Sequence, residues 1–271
     1  MKKLLTAALL LFYMQMHAQE LYVFTEPASN MPANSIGILQ SAKFLKNKYY
    51  NRAEQRHNTE LMFGINKNLM IHAAATYSNM YSQKTEFESV RLYGKYRFYS
   101  KDEMYRHFRL AAFAEASYNK NELEYDELGL EGDNSGIQLG LIGTQLLHKL
   151  AISGSASVIS YAGTYTSHSA TIHQPFDALN YSLSAGYLIF PKEYTDYNQP
   201  NINVYLELLG QKSLDQKRYM LDIAPAIQLI LISQAKINVG YRHQLLGNMH
   251  RMSTNSWLIE LEWTFLNALK K

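Results

Sequence analysis

The stretch Trp257-Leu258-Ile259-Glu260-Leu261-Glu262-Trp263-Thr264-Phe265 decides the fold, because its large apolar residues stand at every second position. In an extended strand, successive side chains point to opposite faces. Both tryptophans then share one face with Ile259, Leu261 and Phe265, while the two glutamates lie on the other. Helical spacing would mix the carboxylates with the indole rings. This stretch therefore predicts a β-strand with one apolar and one charged face.

The same alternation recurs from residue 35 onward and predicts about twelve strands. Between residues 89 and 98, for example, Tyr96 and Phe98 alternate with Arg91, Lys95 and Arg97. Pro225 weakens the prediction for one segment, since proline cannot donate to a strand ladder. Each predicted strand is close to the 9–11 residues that a tilted membrane strand requires. The predicted strands are 35–46, 58–66, 69–79, 89–98, 108–118, 134–146, 149–161, 179–189, 201–211, 218–230, 236–243 and 257–265.

The connections between these strands alternate in length. Those at 66–68, 147–148 and 232–234 are tight, whereas those at 46–57, 79–87, 119–133 and 162–176 are longer and more polar. The segments 100–106 and 191–200 are exceptions on the short side. Short turns on one side and long loops on the other are typical of outer-membrane barrels. Residues 35–271 are therefore predicted to form a single antiparallel transmembrane β-barrel with short periplasmic turns and longer extracellular loops.

Composition favours a membrane barrel over a soluble β-sandwich or lipocalin-like barrel. The chain has 21 tyrosines, whose apolar rings and polar tips suit a membrane–water interface. Its apolar runs are too short for membrane helices. A soluble barrel could also leave the charged side chains in water, so alternation alone leaves that alternative open. Strand length, tyrosine content, loop asymmetry and an export signal together favour the membrane.

The N-terminus has the pattern of an export signal. Lys2 and Lys3 precede an apolar run from residue 4 to residue 13, which is too short for the alternative of an uncleaved anchor helix. We predict a signal peptide over residues 1–18. Pro27 and Pro32 break regular pairing, so residues 19–34 are predicted to form a periplasmic entry segment or a plug. The sequence has no cysteine, which excludes disulfides, thiolate metal sites and a lipid-modified N-terminal cysteine.

The charged faces of the strands are predicted to line the barrel lumen. They either set a preference among solutes or pair with one another in a polar interior. Their mixed signs argue against strong selectivity for anions or cations, and Glu260 and Glu262 are expected to face Lys236 and Arg242. The predicted lumen-lining residues are Arg91, Lys95, Arg97, Arg109, Glu115, Lys236, Arg242, Glu260 and Glu262. The predicted membrane-facing residues are Tyr96, Phe98, Trp257, Trp263 and Phe265.

Metal binding is supported only by small clusters of soft or imidazole ligands in two loops. Met249, His250 and Met252 are weak candidates for copper, and His168 and His173 share another loop. These clusters do not decide whether the protein binds a metal ion, and no cofactor is expected.

Catalytic residues are not predicted. Ser167-His168-Ser169 offers a nucleophile beside a base, but adjacent residues on a strand alternate faces and do not form a dyad. The acidic residues between 126 and 133 are expected to be solvated or to meet lipopolysaccharide through divalent ions. These residues are Asp126, Glu127, Glu131 and Asp133.

Net charge gives no reason to expect nucleic acid as a partner. The formal charge of +3 falls to about +1 when Lys2 and Lys3 leave with the signal peptide. The expected partners are outer-membrane lipid, lipopolysaccharide, the barrel-insertion machinery and a small solute of unknown identity.

The signal peptide, alternating strands and aromatic final strand resemble the bacterial outer-membrane β-barrel superfamily over nearly all of the mature chain. Residues 24–35 and the closing Trp263-Thr264-Phe265 resemble small uncharacterised barrels labelled as transporters, although residues 266–271 follow the usual terminal aromatic. The resemblance implies a Gram-negative outer-membrane location and porin-like passage of small solutes through a polar lumen. The alternatives are a structural or adhesive barrel with a plugged lumen and a phospholipase-like hydrolase at the rim.

Overall fold

The computed structural model describes residues 22–104, 106–163, 165–167, 170–172, 176–192, 199–214 and 217–270. The predicted signal peptide lies outside these residues, as do His168, Ser169 and His173. Within the described residues, no helix is long and apolar enough to cross a membrane.

Twelve antiparallel strands close into one barrel, and a short two-stranded hairpin lies in one of its loops. This confirms the prediction of an all-β barrel of about twelve strands. The barrel strands are β1 (Ser35–Asn47), β2 (Arg52–Gly64), β3 (Leu69–Ser78), β4 (Glu86–Glu103), β5 (Arg106–Asn119), β6 (Gly136–Leu147), β7 (Leu150–Tyr161), β10 (Asp177–Phe190), β11 (Asn201–Ser213), β12 (Tyr219–Leu231), β13 (Ala235–Gly247) and β14 (Asn255–Phe265), with the hairpin formed by β8 (Tyr165–Ser167) and β9 (Ala170–Ile172).

The barrel closes where the first strand meets the last. Ile36 of β1 pairs with Phe265 of β14, and the ladder continues to Leu45 opposite Ser256. Each remaining barrel strand pairs with its neighbours in chain order, and β7 pairs with β10 across the hairpin. A closed sheet has no edge and satisfies its own backbone donors and acceptors, as hydrocarbon requires.

The outer surface of the barrel is apolar. Trp257 and Leu261 are 54% and 53% exposed on the outside, whereas Glu260 and Glu262 point into the interior. A water-soluble globule would bury such residues rather than display them in a continuous belt. The arrangement is that of a transmembrane barrel, with hydrocarbon outside and polar groups inside.

Two connections differ from the predictions, while the strand predicted around Pro225 is present. Strand pairing continues to Glu103 and resumes at Arg106, so most of the predicted connection at 100–106 is an extension of the β4–β5 hairpin. Residues 48–51 form a tight turn where a long loop was expected. Pro225 is accommodated within β12, where it stands opposite Leu206 of β11, and the β12–β13 ladder is interrupted between Ile223 and Ala226.

Candidate functional site

The nine residues predicted to line the lumen all lie on the interior face of the barrel wall. Lys95 is fully buried, and Glu115 and Lys236 are more than nine-tenths buried. The five residues predicted to face the membrane are exposed on the outer surface, each between 43% and 54%. Alternation therefore separates the two groups in space.

A cluster of ion pairs crosses the lumen wall from β2 to β5. Arg91 of β4 pairs with Glu60 of β2, and its other terminal nitrogen lies 3.4 Å from Glu115 of β5. His72 of β3 contacts the second oxygen of Glu60 at 2.5 Å. The sequence analysis did not single out Glu60 or His72. Met62 and Met70 share the interior face of β2 and β3 with them, so polarity does not alternate cleanly there.

The last two strands carry one of the expected pairs and not the other. Lys236 lies opposite Glu262, and Nζ approaches the carboxylate to 2.6 Å. Glu260 instead accepts a hydrogen bond from Asn238 at 2.8 Å. The expected contact with Arg242 is absent from the described pairs. The ladder places Arg242 opposite Ser256, which is four residues along β14 from Glu260.

Residues 22–34, here called the plug, lie inside the barrel against the interior face of the wall. Glu207 of β11 anchors the first part of the plug. One carboxylate oxygen accepts hydrogen bonds from the backbone N–H groups of Val23 and Phe24, both at 2.9 Å, and the other accepts one from the Thr25 hydroxyl at 2.6 Å. Ser184 of β10 also donates to this carboxylate.

Lys95 of β4 anchors the second part of the plug. Its ammonium donates to Glu26 at 2.8 Å and to the carbonyl oxygens of Pro27 and Ser29 at 2.6 and 2.8 Å. Partial loss of hydration opposes ionisation of Glu26, but attraction to Lys95 outweighs it and holds the pKa of Glu26 below its ordinary value. Arg109 of β5 adds a hydrogen bond to the Ser29 hydroxyl.

Apolar side chains of the plug fit recesses in the wall. Tyr22 and Val23 pack with residues of β6, β7 and β11, and Ala28 packs with Ala111 and Ile142. The Phe24 ring lies over Gly240 of β13, where an added Cβ would stand 2.5 Å from a ring carbon. Only a glycine therefore leaves room for this ring.

The loop between β5 and β6, residues 120–135, crosses one mouth of the barrel. Glu131 is 75% exposed, as expected, whereas Asp126, Glu127 and Asp133 form ion pairs with arginines. Asp133 pairs with Arg56 of β2 at 2.8 Å, and Glu127 pairs with Arg242 of β13 at 2.9 Å. Since β5 and β13 stand on opposite sides of the barrel order, the loop spans the lumen. The backbone of Leu128 exchanges two hydrogen bonds with Gln211 of β11.

Glu127 is the most strongly held carboxylate of this loop. Arg251, in the β13–β14 loop, approaches it to 2.7 Å. Burial opposes ionisation, but Arg251 and Arg242 hold the pKa of Glu127 well below its ordinary value. A cavity of about 40 Å³ lies beside these groups, which is room for a few waters rather than a solute.

Two of the metal candidates pack around Tyr125. Met252 lies in an apolar cluster with Met80 and Tyr125. The His250 ring stacks on Tyr125 with centroids 5.3 Å apart, and it lies tilted against Tyr49 at 4.7 Å. Over the described ranges, no group of three or more His, Cys, Asp or Glu is placed to hold a metal ion. Ser167 lies in β8, and its proposed partners are outside the described residues.

Comparison with known proteins finds similarity in structure only. No family model matches the chain, and no curated protein matches it in sequence. The COG4313 outer membrane channel from Pseudomonas putida F1 superposes with a TM-score of 0.58 at 11% identity, covering 90% of this chain and all of that one. The NanC porin gives 0.55 at 8% identity, covering 84% and 98%. The beta domain of the Bordetella autotransporter BrkA gives 0.50 at 10% identity, covering 85% and 98%.

The fold is that of an outer-membrane β-barrel. This is the fold that the resemblance stated from the sequence implies. Two of these similar structures carry names of channels and the third that of an autotransporter domain, so the shared fold does not itself specify an activity.

Proposed function

We propose that this protein is an outer-membrane channel for small polar solutes, closed at its periplasmic end by the plug and at its extracellular end by the loop 120–135. The observation that carries the proposal is the chemistry of the wall beneath the plug. Glu207, Lys95, Thr144 and Arg109 are polar wall residues, and each bonds to the plug. Departure of the plug would leave a lumen lined by hydrogen-bonding groups.

The plug can leave the lumen while the barrel stays folded. Residues 22–34 contribute no strand to the sheet, so none of the ladders between barrel strands depends on them. The contacts with Glu207 and Lys95 can be exchanged for water or a solute.

A reversible crosslink tests this mechanism. The hydroxyl oxygens of Thr25 and Ser184 lie 2.9 Å apart, so cysteines at both positions are placed to form a disulfide in a chain that has no other cysteine. We expect the oxidised Thr25→Cys/Ser184→Cys protein to carry no current in a planar bilayer, and reduction to restore opening events. Each single-cysteine variant serves as a control that oxidation alone should not silence.

A plugged structural barrel is the second candidate, because many interior charges are paired and buried. Asp222 and Lys95 have no exposed surface, and each forms an ion pair. Absence of current in the reduced protein at every salt concentration would favour this structural role and refute the channel.

A further inference from the structure

The plug is a peptide bound by the lumen wall, and its contacts are those of a peptide-binding site. Two consecutive backbone N–H groups, of Val23 and Phe24, reach one carboxylate. Two backbone carbonyls, of Pro27 and Ser29, reach one ammonium. The wall therefore binds the main chain of the plug through the Glu207 carboxylate at one end and the Lys95 ammonium at the other.

The negative end of this site is incompletely neutralised by the plug. In the described part of the chain, Glu207 is fully buried and its partners are backbone amides and the hydroxyls of Thr25 and Ser184, all of them neutral. A buried carboxylate is better stabilised by a cation than by neutral donors. A free α-ammonium group would supply the cation that Val23 and Phe24 do not.

The positive end is already matched to a carboxylate. Lys95 holds the Glu26 carboxylate at 2.8 Å and also donates to the carbonyl oxygens of Pro27 and Ser29. A terminal carboxylate is the same chemical group and could take the place of Glu26. The two ends are joined in the plug by residues 23–26, which span at most about 14 Å when fully extended.

The wall also has recesses for side chains between these ends. The recess at Gly240 holds the Phe24 ring, and Ala226 and Leu258 pack in the same cluster. A second recess, formed by Ala111 and Ile142, holds Ala28. These recesses are apolar, and the first accepts an aromatic ring.

We infer that the solutes of this channel are short peptides, about three to four residues long, with a free amino group that binds Glu207 and a carboxylate that binds Lys95. The plug occupies their site in the closed state, so an entering peptide displaces it. This inference rests on the proposed channel function, and it adds the class of solute and the residues that select it.

The test uses the tetrapeptide Val-Phe-Thr-Glu with free termini and the same peptide acetylated and amidated. Uptake into proteoliposomes containing the full chain is compared with uptake of glucose as a neutral reference. We expect the free peptide to enter about tenfold faster than the blocked one, because a charge-assisted hydrogen bond replaces a neutral one. Glu207→Gln should abolish this ratio. Glu103→Gln, which alters an exposed carboxylate on the β4–β5 extension, should preserve it.

A binding measurement separates the two proposals. Val23→Cys introduces one thiol at a buried position of the plug, and displacement of the plug by free tetrapeptide should accelerate its labelling by a maleimide. Faster labelling without uptake of any solute would support the peptide site and refute the channel. Uptake of glucose and of both peptides at equal rates would overturn the peptide inference and leave the channel standing. Neither labelling nor uptake would overturn both.

Discussion

Lys95→Met removes the ammonium that holds the middle of the plug. We expect this substitution to undock the plug and to leave the strand pairing of the barrel intact. Methionine keeps most of the length of the lysine side chain, so the wall stays packed. The Glu26 carboxylate and the carbonyls of Pro27 and Ser29 lose their common donor. Any effect should therefore be confined to the plug.

The magnitude follows from burial. Removing one partner of a buried ion pair costs about 3–5 kcal/mol. The side chain of Glu26 is 45% exposed and can regain water, which reduces the expected loss to about 2–3 kcal/mol. A loss of this size shifts the docking equilibrium by about 30- to 150-fold.

Maleimide labelling of Val23→Cys measures this shift, since the chain has no other cysteine. The labelling rate reports the undocked fraction while the docked state predominates. Lys101→Met is a matched control, because Lys101 is exposed and pairs with Glu103 on the β4–β5 extension. Equal labelling rates with Lys95 and with Met at this position would refute the role assigned to the ammonium.

Three further predictions concern the plug and the membrane face. Gly240→Val should expel the Phe24 ring and increase channel opening in planar bilayers, whereas Gly94→Ala should not, since a Cβ at Gly94 meets no atom within 4 Å. Docking lowers the pKa of Glu26, so the ionised carboxylate stabilises the docked plug above pH 4.5, and this stabilisation is lost as the pH falls through the lowered pKa. Channel opening should therefore increase in acid. Glu26→Gln should remove that pH dependence. Leu141→Lys, on the outer face near the middle of β6, should lower the free energy of unfolding in lipid by about 2–4 kcal/mol, and an unchanged value would contradict the membrane assignment.

Strand identity and facing could be predicted from the sequence because a period of two carries both kinds of information. Trp257 and Glu260 differ in parity, and this alone places them on opposite faces of the strand. No alignment with a partner strand is needed for that conclusion. Assigning the apolar face to the membrane also needed the strand lengths, the tyrosine content, the loop asymmetry and the export signal.

Partner choice within the lumen could not be predicted, because it depends on register. Lys236 stands opposite Glu262, but Arg242 is displaced along β13 to the level of Ser256 and pairs with Asp222 of β12 instead. The inward fold of the acidic loop depends likewise on Arg56 and Arg242, which are distant in sequence.

The chemistry of the plug left no pattern that could be recognised in the sequence. Its contacts with Glu207 come from the backbone N–H groups of Val23 and Phe24, which every residue except proline possesses. Pro27 and Pro32 indicated only that the segment would not pair as a strand. The binding residues on the wall were visible as polar positions but not as a set.

In the proposed channel the two closures would lie in series at opposite ends of one conduit, so their open probabilities would multiply. If the plug and the loop 120–135 were each open about 1% of the time and moved independently, both would be open together about 0.01% of the time. A cell bearing many copies would then lose very little of its barrier to harmful compounds. A peptide that releases the plug would raise permeability about a hundredfold, and only while it is bound. Selectivity would then arise because the loop 120–135 must open while a peptide is bound, rather than from the width of the passage.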